Sequence, residues 1–382
     1  MSSSFRLGRI FSIPISIHYT WFIIFALVTL TLARGFFPNF YVWPEWLYWI
    51  TGLVTSALFF SSVVAHELSH SLVSRYYGVP VRSITLFIFG GVAHIGREAA
   101  GPMREMAMAL AGPLSSLAIA GLFHVVHRVA LPYSEPVAAL AWWLRYINVA
   151  LAVFNLIPGF PLDGGRVFRA LLWRVTGDFL KATGAAVAVG RGIGYLFITL
   201  GLLSILGISP VAQLFGFIGG LWFAFIGWFL ENVASSSYRQ TQLKEALHGV
   251  SAGELMNRDC VIVPPERTVE ELVRDYVLPR GSRCAVVAQG GRLAGMLTMA
   301  NLRGLPQGQW PTTLVENVVI PPAQLRVAHP GEDVLDVLER MEEEDIGQMV
   351  VVRGGEVLGV LFREHIFRYA RTRTELGYRG GS

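Results

Sequence analysis

Six apolar stretches constrain the fold of this chain more than any other feature. A helix that crosses a bilayer needs about 20 consecutive apolar residues, and hydrophobic residues make up 53% of the 382-residue sequence. Inside a bilayer, only helices and closed barrels satisfy every backbone polar group. We therefore predict six transmembrane helices, at about 14–34, 50–74, 104–128, 138–158, 184–206 and 210–230.

The charged residues divide the chain into two parts. They make up 15% of the sequence, whereas an average soluble domain has about 25%. Residues 1–230 are poor in charge, and residues 240–382 have the composition of an ordinary soluble domain. We predict an α-helical polytopic membrane domain at 1–230, a linker at 231–250 and a soluble α/β domain at 251–372. The net charge of +4 gives no argument for a nucleic-acid partner.

One apolar segment is too short to cross the bilayer. Residues 81–95 are rich in residue types that favour β-strands. We predict a small strand or hairpin there, which dips into the membrane from one side.

The positive charges predict the orientation of the six helices. Lys and Arg concentrate in the cytoplasmic loops of membrane proteins. In a six-helix arrangement most of them fall on one side, whereas Arg34 and Arg128 fall on the other. We therefore expect a multi-pass protein of the cell membrane whose N-terminus, C-terminus and soluble tail are cytoplasmic.

The second apolar stretch contains the pentad His66-Glu67-Leu68-Ser69-His70. In a helix, residues i and i+4 lie on the same face. The two histidines can therefore bind one metal ion, with Glu67 beside them to handle a proton. Ionisable residues are costly inside a membrane, so a chance occurrence there is rare. The pentad predicts water chemistry within a bilayer.

A broken helix offers a third metal ligand. The fourth apolar stretch ends at 155–158, the Pro- and Gly-rich segment 159–166 interrupts it, and we expect the helix to resume at 167–175. A catalytic zinc takes three protein ligands and leaves one position for water. Asp163 is the only carboxylate in the interrupted segment. We predict it as the third ligand; the alternative is a cap of the following helix.

These residues predict peptide hydrolysis. A bound zinc would lower the pKa of water and polarise a peptide carbonyl, and Glu67 would pass the water proton to the leaving amine. Asn155 would donate a hydrogen bond to the oxyanion, or else bond between helices. The segment 81–95 could pair with an unwound substrate strand. The rival interpretation is a transporter or channel with a structural or transported metal, which would need ligands but not the carboxylate of Glu67.

The soluble tail contains an internal repeat. Residues 290–297 recur as residues 354–361, 64 positions later. An amphipathic helix pattern and a strand-like run precede each copy, at 268–277 and 284–288 in the first and at 332–343 and 348–352 in the second. We predict two units of helix, strand, turn, strand and helix that pack into one α/β domain.

With these motifs, the chain resembles the site-2 protease family of intramembrane metalloproteases. The resemblance rests on the pentad, the Gly-Gly-Val-Ala segment at 90–93 and the motif at 155–166, and it covers about residues 1–230. It implies a zinc metalloendopeptidase whose substrate is a transmembrane helix of another protein. It also implies one zinc ion per chain, held by His66, His70 and Asp163.

The tail resembles a tandem pair of CBS domains, a module that often binds adenosine nucleotides. The ribose-contacting Asp of that family aligns with Asn301 in the first repeat and with His365 in the second. Neither is an Asp, and Thr298 has Phe362 as its counterpart. We therefore expect an adenosine nucleotide to bind weakly at Asn301 and His365; the alternative is a module for homodimerisation.

Overall fold

The computed structural model describes residues 4–88, 90–95, 101–208, 210–259, 261–281 and 284–376. The chain divides into two compact units, Met1–Tyr238 and Arg239–Ser382. The first unit holds the long apolar helices, and the second combines helices with a sheet.

Six helices among the described residues are long and apolar enough to cross a membrane, as the sequence predicts. The first combines α1 (Thr20–Thr31), a π-helical turn (Leu32–Phe36) and α2 (Phe37–Phe40). The helices that follow are α3 (Glu45–Tyr76), α4 (Pro102–Ala130), α5 (Glu135–Asn155), α6 (Asp163–Thr176), α7 (Phe179–Ile205) and α8 (Val211–Leu247). The spanning segment of α8 begins at Gly216, where φ is +63°. Of these helices, the short and amphipathic α6 is not a candidate span.

The first spanning helix begins later than predicted. The expected helix at 14–34 starts with a strand, β2 (Ile13–His18), and α1 follows only from Thr20. Ile13, Ile15 and Ile17 are all buried. β-Branched residues at every second position favour a strand with one face against a core, which overrides the apolar run that suggested a helix.

A four-stranded sheet lies beside the helices. It has the order β1-β2-β3-β4, where β1 is Ser4–Ile10, β3 is Val81–Phe87 and β4 is Gly90–Ile95. The hairpin predicted at 81–95 is confirmed, since β3 and β4 are antiparallel neighbours. The β1–β2 hairpin and the parallel pairing of β2 with β3 are not among the features predicted from the sequence. Ile17 and Leu86 pack against Val63, so the sheet contacts α3.

Two boundaries near the predicted helix breaks differ from expectation. The helix after the break begins at Asp163 and not at residue 167. A carboxylate in the first turn of a helix is favoured by the helix dipole, which explains the earlier start. The predicted linker at 231–250 is helical as far as Leu247, as the end of α8.

The second unit is an α/β unit, as predicted, and its strands form one mixed sheet. Its strands are β5 (Ile262–Val263), β6 (Cys284–Gln289), β7 (Arg292–Thr298), β8 (Val327–Ala328), β9 (Gln348–Arg353) and β10 (Glu356–Phe362). They are arranged in the order β5-β6-β7-β10-β9-β8. Its helices after α8 are α9 (Ala252–Leu255), α10 (Val269–Leu272), α11 (Leu278–Arg280), α12 (Met299–Arg303), α13 (Val334–Glu343) and α14 (Arg363–Glu375), with a π-helical turn at Val273–Val277.

Both copies of the repeat form the same hairpin. The turn between β6 and β7 has φ of +58° and +83° at Gly290 and Gly291, and the turn between β9 and β10 has +62° and +90° at Gly354 and Gly355. A two-residue turn of this type needs positive φ at both positions, which glycine adopts without strain. The two hairpins meet where β7 pairs with β10, so the tandem units share one sheet.

Labelling with a membrane-impermeant thiol reagent tests the orientation. Single cysteines would replace the exposed residues Val42, Tyr133 and Leu376 in a background without the two native cysteines. Positions 42 and 133 follow the first and third spanning helices, so they should react in intact cells if the termini are cytoplasmic. Position 376 should react only after lysis. Labelling of position 376 in intact cells would reverse the predicted orientation.

Candidate metal centre

The pentad lies on the buried face of α3. His66 and His70 are 4% and 5% exposed, and Ser62, Ser71 and Ser74 on the same helix are buried with them. The exposed residues of this helix are mostly apolar between Trp46 and Leu72. A helix that is polar inside and apolar outside is typical of a bundle in lipid.

Three side chains from two helices converge at this face. The Nε2 atoms of His66 and His70 are 3.2 Å apart, and each lies 3.1 Å from Oδ2 of Asp163. Asp163 reaches them from the first position of α6. In the part of the chain that the structure describes, these residues form the one group of His, Cys, Asp or Glu side chains arranged to hold a common metal ion.

The three atoms have nearly the spacing of a tetrahedral zinc site. Zinc binds His nitrogen and carboxylate oxygen at about 2.0–2.2 Å, so two ligand atoms of a tetrahedron lie about 3.3–3.6 Å apart. The observed separations of 3.1 and 3.2 Å come close to that edge. Three protein ligands leave a fourth position for water. The donor set therefore fits a catalytic zinc.

Helix α4 orients both imidazole rings. Nδ1 of His66 lies 2.9 Å from Oγ of Ser116, and Nδ1 of His70 lies 2.7 Å from the carbonyl oxygen of Met108. With each Nδ1 occupied, each Nε2 is directed toward Asp163. Contacts of this kind select the tautomer and the ring orientation of metal-binding histidines.

Helix α4 also leaves room for the metal at Gly112. A Cβ at this position would overlap Nε2 of both His66 and His70. Any side chain here would therefore occupy the space in which the ligand atoms meet. Gly112 is not among the site residues predicted from the sequence, because a glycine within an apolar helix carries no local signal of such a contact.

A buried ion pair joins α4 to α6. Glu105 accepts a hydrogen bond from Nε of Arg169 at 2.8 Å and contacts a second guanidinium nitrogen. The guanidinium carbon lies 4.8 Å and 4.7 Å from the ring centres of Phe160 and Phe179. Helix α4 orients the two histidines and α6 carries Asp163. The ion pair therefore holds the helix that supports the histidines next to the helix that carries the third candidate ligand. In the sequence, Glu105 is the feature that could have indicated this ion pair, because a carboxylate at the start of an apolar stretch needs a partner.

Glu67 faces the strand β4. An added Cβ at Gly91 would overlap the Glu67 side chain and lie 3.3 Å from its Oε1. The backbone of β4 therefore passes directly over the Glu67 carboxylate. The contact brings together two separate predictions from the sequence, the proton-handling role of Glu67 and the hairpin at 81–95.

Asn155 is the last residue of α5 and lies outside the group of ligands. Its Nδ2 donates to the carbonyl oxygen of Leu151 at 3.0 Å. On the same helix, the buried Asn148 donates to Oγ of Ser62 at 3.4 Å. Since Ser62 is one helical turn before His66, α5 packs along α3 toward the pentad. Asn148 is not among the residues predicted from the sequence to lie near the site.

In the second unit, Asn301 and His365 lie where their helices begin. Oδ1 of Asn301 accepts hydrogen bonds from the backbone nitrogen and the hydroxyl of Thr298, at 3.0 and 2.6 Å. His365 contacts Phe362 edge to face. A cavity of about 540 Å³ in this unit has neither of them in its lining, which consists of Ser251, Gly253, Glu254, Met256, Arg258, Pro330, Gly331, Arg353 and Leu358.

Two family models match the chain. The model of peptidase family M50 matches residues 54–133 and 118–199, which include the pentad and Asp163. The model of the CBS domain matches residues 252–307 and 315–372, one match for each copy of the repeat.

The chain is also similar to known proteins over most of its length. A protein of Synechocystis named as a zinc metalloprotease is 36% identical over 378 residues, which are 97% of this chain and 97% of that protein. The Mycobacterium tuberculosis protein Rip3, also named as a zinc metalloprotease, is 33% identical over 96% of this chain and 93% of its own length. The solved site-2 protease of Methanocaldococcus jannaschii is 32% identical and covers 58% of this chain and 95% of its own, with a TM-score of 0.39. The chain therefore belongs to peptidase family M50, the site-2 proteases, and its C-terminal unit carries a tandem pair of CBS domains.

Proposed function

We propose that this protein is a zinc-dependent intramembrane endopeptidase that cleaves transmembrane segments of single-span membrane proteins in the lipid bilayer. The observation that carries the proposal is the group of His66, His70 and Asp163, whose ligand atoms meet on the buried face of a candidate membrane span. Membership of family M50 and the names of the relatives support zinc as the metal.

The residues around the site divide the chemistry between them. Zinc, when bound, supplies a Lewis acid that makes water more acidic and polarises a peptide carbonyl. Glu67 removes the proton from water and delivers it to the nitrogen of the leaving amine. Its place between the two ligands and beneath β4 supports this role. Ser116 and the Met108 carbonyl hold the imidazole rings throughout.

Asn155 is our candidate for stabilising the oxyanion. Nε1 of Trp43, just before α3, donates to Glu135 at the start of α5 at 2.6 Å, so the two helices begin close together. They also meet farther along, where Asn148 contacts Ser62. From this second contact, Asn155 lies two turns farther along α5, and the pentad lies one to two turns farther along α3. This spacing supports a position of Asn155 level with the pentad. The amide nitrogen carries two hydrogens, and its bond to Leu151 uses one.

The strand β4 supports substrate binding by strand addition. It forms one edge of its sheet, with β3 as its neighbour among the described strands. The peptide bonds of a helix are shielded, so a transmembrane substrate must unwind before hydrolysis. An extended segment paired with β4 would satisfy the backbone groups that unwinding exposes. Because Gly91 lies over Glu67, this pairing would present a peptide bond to the catalytic carboxylate.

We further propose that the cytoplasmic CBS pair regulates the protease or mediates homodimerisation, with at most weak binding of an adenosine nucleotide. Oδ1 of Asn301 is engaged by Thr298, and a neutral amide lacks the charge of the Asp that the family uses. Burial and the nearby Arg368 lower the pKa of His365. His365 is therefore neutral at pH 7 and adds no charge to the site.

Replacing the carboxylate of Glu67 separates catalysis from metal binding. Glu67→Gln should lower cleavage by about 10²–10⁴-fold and keep zinc, because the three ligands are intact. His66→Ala and Asp163→Ala should lose both. Zinc per chain from elemental analysis, beside cleavage of a single-span protein in proteoliposomes, tests this. Glu45→Gln, at the exposed start of the same helix, is the matched control and should keep both. Wild-type turnover by Glu67→Gln would contradict the mechanism.

A methyl group at Gly112 should expel the metal. Gly112→Ala places Cβ on the Nε2 atoms of both histidines, so we expect zinc affinity to fall by at least about 10–100-fold, the range for disturbed ligand orientation. Gly121→Ala on the same helix adds the same methyl group in open space. Both changes raise helix propensity equally. The two variants therefore differ only in whether the added methyl group contacts the histidines. Competition with a zinc chelator measures the affinity, and full zinc binding by Gly112→Ala would show that the ligands meet elsewhere.

Restoring the acidic residue of the CBS motif should strengthen nucleotide binding. A charge-assisted hydrogen bond is worth about 1.5–3 kcal/mol, or about one to two decades of affinity. Asn301→Asp should therefore bind ATP, ADP or AMP about 10–100-fold more tightly than the wild type. Calorimetric titration of the full-length protein in detergent measures this, with the exposed Asn317→Asp as control. Equal affinities of wild type and Asn301→Asp would place the ribose elsewhere.

A further inference from the structure

A second arginine of α6 lies beside the buried Glu105–Arg169 pair. Nε of Arg166 is 4.0 Å from Oε1 of Glu105, which is too far for a hydrogen bond. The same oxygen already accepts a hydrogen bond from Nε of Arg169 at 2.8 Å. Two guanidinium groups therefore face one carboxylate, and the charge of Arg166 is surplus to this ion pair.

The three arginines of α6 differ in their contacts. Arg169 bonds to Glu105 and lies over two aromatic rings. Nη1 of Arg174 contacts Sδ of Met103. The guanidinium of Arg166 has five N–H donors but donates no hydrogen bond to the residues that the structure describes. Its side chain is 23% exposed, so the group is partly enclosed and still open to a ligand.

Arg166 lies beside the candidate metal centre. It follows Asp163 by three positions in α6, and residues with this spacing are neighbours on one face of a helix. The nearby Glu105 is about one turn before Met108, whose carbonyl oxygen holds an imidazole ring of the site. Arg166 is also close enough to Glu67 for the two charges to interact. The free guanidinium donors therefore belong to the immediate surroundings of the candidate ligands and of Glu67.

Peptide hydrolysis creates a negative charge at this place. The oxygen of water adds to the carbonyl carbon, the C–N bond breaks, and both water protons pass to the nitrogen. A neutral peptide group thereby becomes a carboxylate and an ammonium group. A carboxylate is costly to bury without a partner, and a planar guanidinium matches its two oxygens with two parallel N–H donors. An arginine beside the reacting bond therefore binds the product more strongly than the intact chain.

We propose that Arg166 binds the carboxylate of the new C-terminus as the product forms. The inference rests on the proposed function and adds a product-binding residue to the same site. Two observations assign this ligand to Arg166, since Glu105 already has Arg169 as its partner and the guanidinium donors of Arg166 are free. A cut segment, which ends in a carboxylate, therefore occupies the site in preference to an otherwise identical neutral segment.

Two peptides that differ only in their last group test this contact. Each is an apolar peptide of about half the span of a bilayer, with a fluorescent N-terminal label, and it ends in a carboxylate or in a carboxamide. Zinc-loaded full-length protein in detergent should bind the carboxylate peptide more tightly. Arg166→Gln should lose about 10–100-fold of that affinity, the share of a charge-assisted hydrogen bond, and should bind the carboxamide peptide unchanged. Zinc also attracts a carboxylate, so zinc per chain is measured and its contribution cancels between proteins with equal zinc.

Two further variants separate the contact from a general effect of charge or folding. Arg174→Gln removes an exposed arginine of the same helix and should bind both peptides like the wild type. Arg166→Lys keeps the charge without the paired donors, so its affinity for the carboxylate peptide should lie between those of the wild type and Arg166→Gln. Wild-type affinity in Arg166→Gln, or in Arg166→Lys if the Gln variant loses zinc, would overturn the proposal. Equal binding of the two peptides by the wild type would do the same.

The binding measurement needs no cleavage, so it separates this proposal from the proposed function. A wild-type protein that prefers the carboxylate peptide through Arg166, but cleaves no single-span membrane protein, would contradict the proposed function alone. A protein that cleaves such substrates without this preference would contradict only the role of Arg166.

Discussion

The lack of water inside a bilayer is the constraint on which the membrane unit depends. Lipid offers no hydrogen-bond partners, so polar side chains in spanning helices must find partners in one another. Helix α3 buries His66, His70 and four of its serines, and its exposed residues between Trp46 and Leu72 are mostly apolar. The candidate metal centre is the point where these inward polar groups meet. The buried Glu105–Arg169 pair between α4 and α6 meets the same requirement, because each charge is the partner of the other.

Helix α4 organises the site, although it contributes no metal ligand. Ser116 and the Met108 carbonyl orient the two imidazole rings, Gly112 leaves the space between their Nε2 atoms empty, and Glu105 holds α6 through Arg169. Such supporting residues influence a metal site nearly as strongly as its ligands. A preorganised site of this kind keeps its geometry without help from solvent, which suits hydrolysis at membrane depth.

The two parts of the chain bury opposite kinds of side chain. In the second unit, apolar side chains such as Leu361 and Met341 form the core, as expected in water. In the first unit, the interior around the metal site is polar and the lipid-facing surface is apolar.

Local sequence rules determined a large part of this protein. The apolar runs identified six spanning helices, the i and i+4 spacing put His66 and His70 on one face, and the Gly-Gly turns of the repeat produced two matching hairpins. These features depend on residues a few positions apart, which periodicity and turn preferences report directly. The motif around Asp163 also predicted this residue as a third ligand, because a carboxylate in a broken membrane helix has few other uses. The β2 strand shows the limit of such rules, since its alternating isoleucines lie in an apolar run that predicts a helix.

Only the tertiary structure decided how these parts meet. His66 and Asp163 are 97 positions apart, and Glu105 and Arg169 are 64 positions apart. Nothing in either neighbourhood encodes the partner, because such contacts depend on how whole helices pack. The overlap of a Cβ at Gly112 with two histidines, and the passage of Gly91 over Glu67, likewise exist only once three elements are in place. Sequence thus predicts which residues can bind a metal, whereas packing decides whether their atoms come within bonding distance of one ion.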